Sequence, residues 1–143
     1  MGEVLVVDRP VAQPGEPGVV EADPLGGHDP YSASKAMADI LTQSWVSSFD
    51  GPATAIARAG NVIGGGDYAA DRIVPDCIRA LQAGKSILVR NPFAVRPWQH
   101  VLEPLSGYLE LGAALWRRHQ PAIGSAYNFG PEAMVTQSVG ELI

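Results

Sequence analysis

The sequence is short of cysteine and of positive charge. Cys77 is the only cysteine among 143 residues, so no internal disulfide can form, and no cysteine–histidine cluster has zinc spacing. Ten lysines and arginines against 15 aspartates and glutamates give a formal net charge of −5, which argues against a surface that neutralises nucleic-acid phosphates. We therefore expect a cytoplasmic protein that binds neither a metal nor a nucleic acid.

Long hydrophobic runs are also absent from the sequence. No apolar stretch approaches ~18 residues, and the first residues lack the basic and apolar regions of a signal peptide, so the sequence predicts no membrane span and no leader. Glycine and proline, by contrast, are abundant, with 16 and 12 residues. They lie between periodic segments, as loops do on an α/β scaffold, where loops commonly carry the function.

Helical and strand-like segments alternate along the chain, which favours βαβ architecture. The predicted helices are 31–49, 71–83 and 102–119, the predicted strands are 4–7, 53–59, 86–90 and 126–129, and 10–30 is a predicted surface loop. Asp29 is the expected N-cap of the first helix. Ser138 and Glu141 have the spacing of a capping box, so we expect a helix to begin there and to continue past the last residue.

Tyr31 and Lys35 are four residues apart on the first predicted helix, so their side chains project from one face, a turn apart. A nearby ammonium group favours the phenolate, and the pair could therefore act as a base near neutral pH. The apolar face centred on Met37 and Leu41 lies roughly opposite, which leaves the pair free to face a cleft. Spacing alone, however, fits an ordinary exposed pair at least as well.

Four motifs, in a fixed order along the chain, point to one protein family. The runs GGHDPYSASK, ARAGNVIGGGD, DRIVPDCIRA and RNPFAVRPWQHVLEPLSGYL resemble the second half of extended short-chain dehydrogenases/reductases, and most of all the CDP-glucose 4,6-dehydratase family. The resemblance implies an α/β fold: residues 1–59 would end a Rossmann-like doubly wound sheet that binds NAD. Residues 60–143 would form a smaller α/β region that binds the nucleotide sugar, and we expect the whole to be truncated at both ends.

The resemblance also implies a reaction. Tyr31 would take the proton of the sugar 4-hydroxyl while the hydride at that carbon passes to NAD. Lys35 would assist this proton transfer and form a hydrogen bond to the nicotinamide ribose. Water is then lost, so that CDP-glucose is converted into CDP-4-keto-6-deoxyglucose, a deoxysugar precursor for polysaccharide. The other residues implied in binding are Arg58 for the cofactor, and Asn61, Arg72 and Arg96 for the substrate. A homodimer through the Tyr31–Lys35 helix is expected.

On physical grounds alone, these binding residues also have plain structural interpretations. Asn61 suits a tight glycine turn equally well, and Arg72 and Arg96 could be solvated surface charges. A guanidinium is nonetheless well suited to a diphosphate, because it is permanently charged and donates in pairs.

The sequence departs from the family in two places. It contains no strand–GxxGxxG–helix unit to cradle the pyrophosphate of NAD, so we expect very weak NAD affinity. Where the family has Ser/Thr-Asp-Lys, the sequence has Val7-Asp8-Arg9, which lacks the hydroxyl and the lysine. We therefore expect the chain alone to be inactive. Two alternatives stay open: a non-catalytic nucleotide-sugar binding module, and a nucleotide-sugar 4-epimerase.

Overall fold

The computed structural model of the protein describes residues 20–26, 29–131 and 137–143. The predicted strand 4–7 and the Asp8-Arg9 pair lie outside the described residues. The elements, in chain order, are α1 (Pro30–Ser48), β1 (Ile56–Ala59), β2 (Val62–Ile63), α2 (Ile73–Gln82), β3 (Val95–Arg96), β4 (Gln99–His100), α3 (Leu102–Trp116), a 3₁₀ turn (Gln120–Ala122), β5 (Ala126–Phe129), β6 (Gln137–Ser138) and α4 (Val139–Leu142).

The centre of the fold is a pair of parallel strands. β1 pairs with β5, with Ile56 opposite Ala126 and Ala59 opposite Phe129. Because parallel strands need a crossover connection, this pair confirms the predicted βαβ character. Every residue of β1 is buried, and β1 with the residue before it supplies most of the buried apolar side chains of the described chain: Ala55, Ile56, Ala57, Ala59, Cys77 and Ala122.

Two smaller strand pairs extend from this centre. β2 pairs with β4 in parallel, with Val62 opposite Gln99, and β3 pairs with β6 in an antiparallel ladder, with Arg96 opposite Gln137. Both pairs involve the segment that follows α2. The β2–β4 pair places the residues just after Arg96 beside the segment that follows β1.

Helix α1 begins as predicted. Asp29 is its N-cap, and its Oδ1 accepts hydrogen bonds from the backbone N–H groups of Tyr31 (2.9 Å) and Ser32 (3.1 Å). Pro30 occupies the first helical position, where its missing N–H costs nothing. These local signals set the start of the helix without help from the rest of the fold.

The side of α1 that is buried differs from the one that its apolar pattern predicts. Its buried residues are the polar Ser32 and Asp39, whereas Met37 and Leu41 are 64% and 67% exposed. The reason is electrostatic: Asp39 forms an ion pair with Arg58 in the buried strand β1, which turns the polar side of the helix toward the sheet.

Other predicted elements are partly confirmed. The strand 126–129 has its predicted bounds, and the predicted helices 71–83 and 102–119 appear as the shorter α2 and α3. The prediction of a strand over 86–90 is wrong: these residues form no ladder with any strand of the described chain. The capping box is confirmed, with Glu141 N–H donating to Ser138 Oγ and Ser138 N–H donating to Glu141 Oε2.

Helix α3 approaches β5 closely at a glycine. A Cβ at Gly107 would lie 2.1 Å from Cε1 of Phe129, so only glycine allows this contact. Among the residues described, no helix has both the length and the apolar character needed to cross a membrane.

Candidate active site

The first part of the site is the Tyr31–Lys35 pair on α1. Tyr31 is the second residue of the helix and is 61% exposed, and Lys35 follows one turn later, half-buried. The Lys35 Nζ lies 5.8 Å from the centroid of the Tyr31 ring. A phenol with an ammonium group beside it can exchange a proton with a hydroxyl that binds next to it. The predicted pair is thus brought together.

Asp29 fixes the turn that carries Tyr31. Besides capping the helix, it accepts a hydrogen bond from Ser32 Oγ, and this bond is the main reason why the pKa of Asp29 lies below its usual 3.8. The backbone N–H groups of Ser32 and Tyr31 lower it further. The hydrogen bonds of the first turn of α1 therefore favour the ionised form of this carboxyl.

Arg58, predicted to contact the cofactor, lies buried in β1. Its Nε donates to Asp39 Oδ2 at 2.7 Å, and its Nη1 donates to the carbonyl oxygen of Glu21 at 3.2 Å. Gln43 donates to the second oxygen of Asp39 at 2.6 Å. These contacts join the helix of Tyr31 and Lys35 to the central strand. A cofactor contact for Arg58 stays a prediction.

The second part of the site lies at the carboxyl end of β1. Asn61 is half-buried two residues after the strand, and its carbonyl oxygen accepts a hydrogen bond from Gln99 N–H at 2.9 Å. Arg96 is half-buried in β3, three residues before Gln99, and its Nη1 donates to the carbonyl oxygen of Val95 at 3.1 Å. Two of the predicted substrate residues therefore lie on neighbouring segments.

Arg72 stands apart from these two residues. It precedes α2, its side chain is 64% exposed, and its Nε lies 3.9 Å from Asp67 Oδ2 in the glycine-rich loop. Within the described residues, no hydrogen bond or ion pair connects Tyr31 or Lys35 with Asn61 or Arg96. β1 relates the two parts: Arg58 within it pairs with α1, and Asn61 follows it.

Sequence reasoning missed two residues that organise this site. Asp39 could have been found, because it lies four residues after Lys35 and so extends the same side of the helix. Gln99 carried no such signal. It is buried, and its Nε2 donates to the carbonyl oxygen of Phe129 at 2.8 Å, a contact between residues 30 apart in the chain.

The sequence also matches known proteins. The profile of the NAD dependent epimerase/dehydratase family matches residues 9–122. A CDP-glucose 4,6-dehydratase from Salmonella typhimurium is 44% identical over 80% of this chain and 34% of the relative's length. The chain spans about a third of the length of the curated relatives it matches.

Solved structures support the same fold. A dTDP-glucose 4,6-dehydratase from Bacillus anthracis in complex with NAD superposes with a TM-score of 0.78, at 24% identity, over 97% of this chain and 42% of the other. A dTDP-glucose 4,6-dehydratase from Streptomyces venezuelae, crystallised with NAD, gives a TM-score of 0.70 at 25% identity, over 85% of this chain and 35% of the other. The predicted Rossmann-like α/β fold is thereby confirmed, and the division at residue 59 stays a prediction.

Proposed function

Because the chain belongs to the NAD dependent epimerase/dehydratase family, we propose that it is the base-bearing and substrate-binding part of a CDP-glucose 4,6-dehydratase. The observation that carries the proposal is the Tyr31–Lys35 pair on one face of α1, in which the tyrosine is exposed and the lysine half-buried. The 44% identity to the Salmonella typhimurium enzyme supports the substrate and the reaction. The protein is then a lyase that supplies a deoxysugar precursor for polysaccharide.

The proposed reaction removes water from CDP-glucose and gives CDP-4-keto-6-deoxyglucose. When bound, NAD would supply the hydride chemistry by which hydrogen moves from C4 to C6. Tyr31 accepts the proton of the 4-hydroxyl, and the Lys35 ammonium stabilises the phenolate that this proton transfer requires. The resulting ketone acidifies the C5 proton, which leaves together with the C6 hydroxyl as water. As the hydride reaches C6, C5 regains a proton, equal to the one that Tyr31 took up, so that one water is lost overall.

The described residues fit one end of NAD. Tyr31 and Lys35 are accessible and side by side, which suits contact with the nicotinamide ribose. The sequence holds no glycine-rich unit for the pyrophosphate. Tyr31 and Lys35 are therefore the residues of this chain that would hold the cofactor, and the contacts of Arg58 suit a residue that keeps their helix in place.

Asn61 and Arg96 are the proposed contacts of the substrate diphosphate. The Arg96 side chain donates one described hydrogen bond, from Nη1 to a neighbouring carbonyl, so its remaining donors make no bond to the part of the protein that the structure describes. A half-buried guanidinium with donors to spare suits a diphosphate. Arg72, exposed beside Asp67, is proposed as a second and weaker contact.

The exposed apolar side of α1 supports a homodimer. Five large side chains on α1 and at its end are between 55% and 67% exposed: Met37, Ile40, Leu41, Trp45 and Phe49. Apolar patches of this kind commonly mark association surfaces. We place a second copy of the chain there, and the expected cytoplasmic location likewise stays a proposal, supported by the lone cysteine.

Calorimetric titration of the chain tests substrate binding. We expect CDP-glucose to bind more tightly than UDP-glucose or dTDP-glucose, and Arg96→Ala to weaken it by roughly 10-fold or more, because a charge-assisted hydrogen bond contributes about 1.5–3 kcal/mol. Arg90→Ala, an exposed loop arginine, is the matched control and should change nothing. Absent binding at millimolar CDP-glucose, or equal effects of the two substitutions, would overturn the proposal.

Binding without turnover is a second candidate function. One feature of the sequence favours binding without turnover. Val7-Asp8-Arg9 stands close to where the family has the Ser/Thr-Asp-Lys that supplies the acid for water loss. A 4-epimerase is the third alternative, since it needs the same base but no elimination. The product formed from CDP-glucose distinguishes these functions: a 4-keto-6-deoxy sugar, an unchanged substrate or its 4-epimer.

A further inference from the structure

Gln99 is one of four buried polar or charged residues in the described chain, and its contacts link distant segments. A buried amide is costly unless it is hydrogen-bonded. The side chain of Gln99 donates to the carbonyl oxygen of Phe129 at 2.8 Å, and its backbone N–H donates to the carbonyl oxygen of Asn61 at 2.9 Å. One residue thus bonds both to the end of β5 and to the segment after β1.

The end of β1 meets the same carbonyl group. Gly60 N–H donates to the Phe129 oxygen at 3.1 Å, so this oxygen accepts from the backbone after β1 and from the Gln99 side chain together. Gly60 also lies against Pro97, since a Cβ there would be 3.0 Å from Pro97 Cγ and 3.2 Å from its carbonyl oxygen. The residue next to Arg96 therefore packs directly on the carboxyl end of the central strands.

The other side of the Arg96 segment is held by β6. Arg96 lies opposite Gln137 in the antiparallel ladder, and Trp98 Nε1 donates to the Gln137 carbonyl oxygen at 3.2 Å. The segment from Val95 to Gln99 is thus attached to β6 by its ladder and by an indole. Gln99 provides the side-chain attachment to β5.

From these contacts we infer that Gln99 is a positioning residue that holds Arg96 at a fixed place relative to Asn61, so that both meet one nucleotide-sugar diphosphate. The inference rests on the proposed function, because it takes Arg96 and Asn61 as substrate contacts. In this role Gln99 touches no reacting atom. It acts through the segment that carries Arg96.

A double-mutant cycle tests the inference. Gln99→Met keeps the length and volume of the side chain but removes the donor, and we expect CDP-glucose affinity to fall by about 3- to 10-fold, the range for one lost hydrogen bond. Because Gln99 acts through Arg96, the same substitution should have almost no effect in an Arg96→Ala background. Gln82→Met, at the exposed end of α2, is the control and should leave binding unchanged.

Amide hydrogen exchange gives a readout that does not need the ligand. In Gln99→Met we expect faster exchange at the amides of Gln99 and Val101, which bond to Asn61 and Ile63, with the β1–β5 ladder still protected. Equal effects of Gln99→Met in both backgrounds, or unchanged exchange at these amides, would overturn the inference. If Arg96→Ala leaves binding unchanged, the proposed function fails instead, and the exchange rates decide whether Gln99 holds the segment.

Discussion

At the scale of the residue, the ion pair between Asp39 and Arg58 attaches helix α1 to the central strand β1. The two side chains are 0% and 6% exposed, and both carboxylate oxygens of Asp39 accept hydrogen bonds. Charges withdrawn from water are tolerated only when they are paired and bonded in this way. The pair joins the helix that carries Tyr31 and Lys35 to the central strand.

Removing one partner of this ion pair should therefore strongly destabilise the folded protein. We predict that Asp39→Ala lowers the free energy of unfolding by about 3–5 kcal/mol, since it leaves the Arg58 charge buried without its partner. Asp50→Ala, at the exposed end of the same segment, is the control and should change stability by less than about 0.5 kcal/mol. Urea unfolding of the three proteins measures the difference. A loss below about 1 kcal/mol in Asp39→Ala would show that the pair does not hold the helix.

At the scale of the element, α1 depends on its first turn. Asp29 caps the helix, and its pKa is lowered from 3.8 chiefly by the Ser32 hydroxyl. A carboxyl whose pKa is depressed on folding stabilises the folded state at pH values above 3.8, and this stabilisation is lost as the pH falls through the lower folded-state value. The start of the Tyr31 helix is therefore acid-sensitive.

Asp29→Asn isolates this effect, because asparagine also caps helices but does not titrate. We predict that the variant is less stable than the parent chain at pH 7, and that the difference shrinks as the pH falls below 3.8. Asp50→Asn, beyond the end of the helix, serves as the control. Denaturant unfolding at a series of pH values measures the difference. A difference that is the same at pH 7 and in acid would contradict the role assigned to Asp29.

Features of the helices and strands that depend on neighbouring residues could be predicted from the sequence, and those that depend on distant residues could not. The N-cap, the capping box and the bounds of β5 were predictable, because neighbouring residues determine them. The side of α1 that is buried was not predictable, because it depends on Arg58, 19 residues beyond Asp39. The Gln99 contact with Phe129 joins residues 30 apart in sequence, and no local pattern predicts it.

At the scale of the whole molecule, the apolar side of α1 is an exposed hydrophobic surface on the helix that carries Tyr31 and Lys35. Trp45 and Phe49 lie together on it, with ring centroids 4.6 Å apart, and both are more than half exposed. A second copy of the chain would cover this surface and bury it on both partners.

A substitution on this surface tests the dimer. We predict that the chain is a dimer by light scattering and that Leu41→Glu makes it monomeric, because an isologous contact brings the new charge into the interface twice. Leu88→Glu, in the exposed loop after α2, is the control and should remain dimeric. A monomeric parent chain would contradict the proposal.

The product formed from CDP-glucose tests the proposed dehydratase reaction most directly. The chain is mixed with NAD and with a separately produced half of a CDP-glucose 4,6-dehydratase that carries both the glycine-rich unit and the Ser/Thr-Asp-Lys motif, and light scattering first confirms that the two parts associate. We predict that this assembly forms the 4-keto product, which absorbs in alkali, that the chain alone forms none, and that Tyr31→Phe abolishes formation whereas Tyr68→Phe does not. An assembled mixture that leaves CDP-glucose unchanged, or converts it to its 4-epimer, would contradict the account.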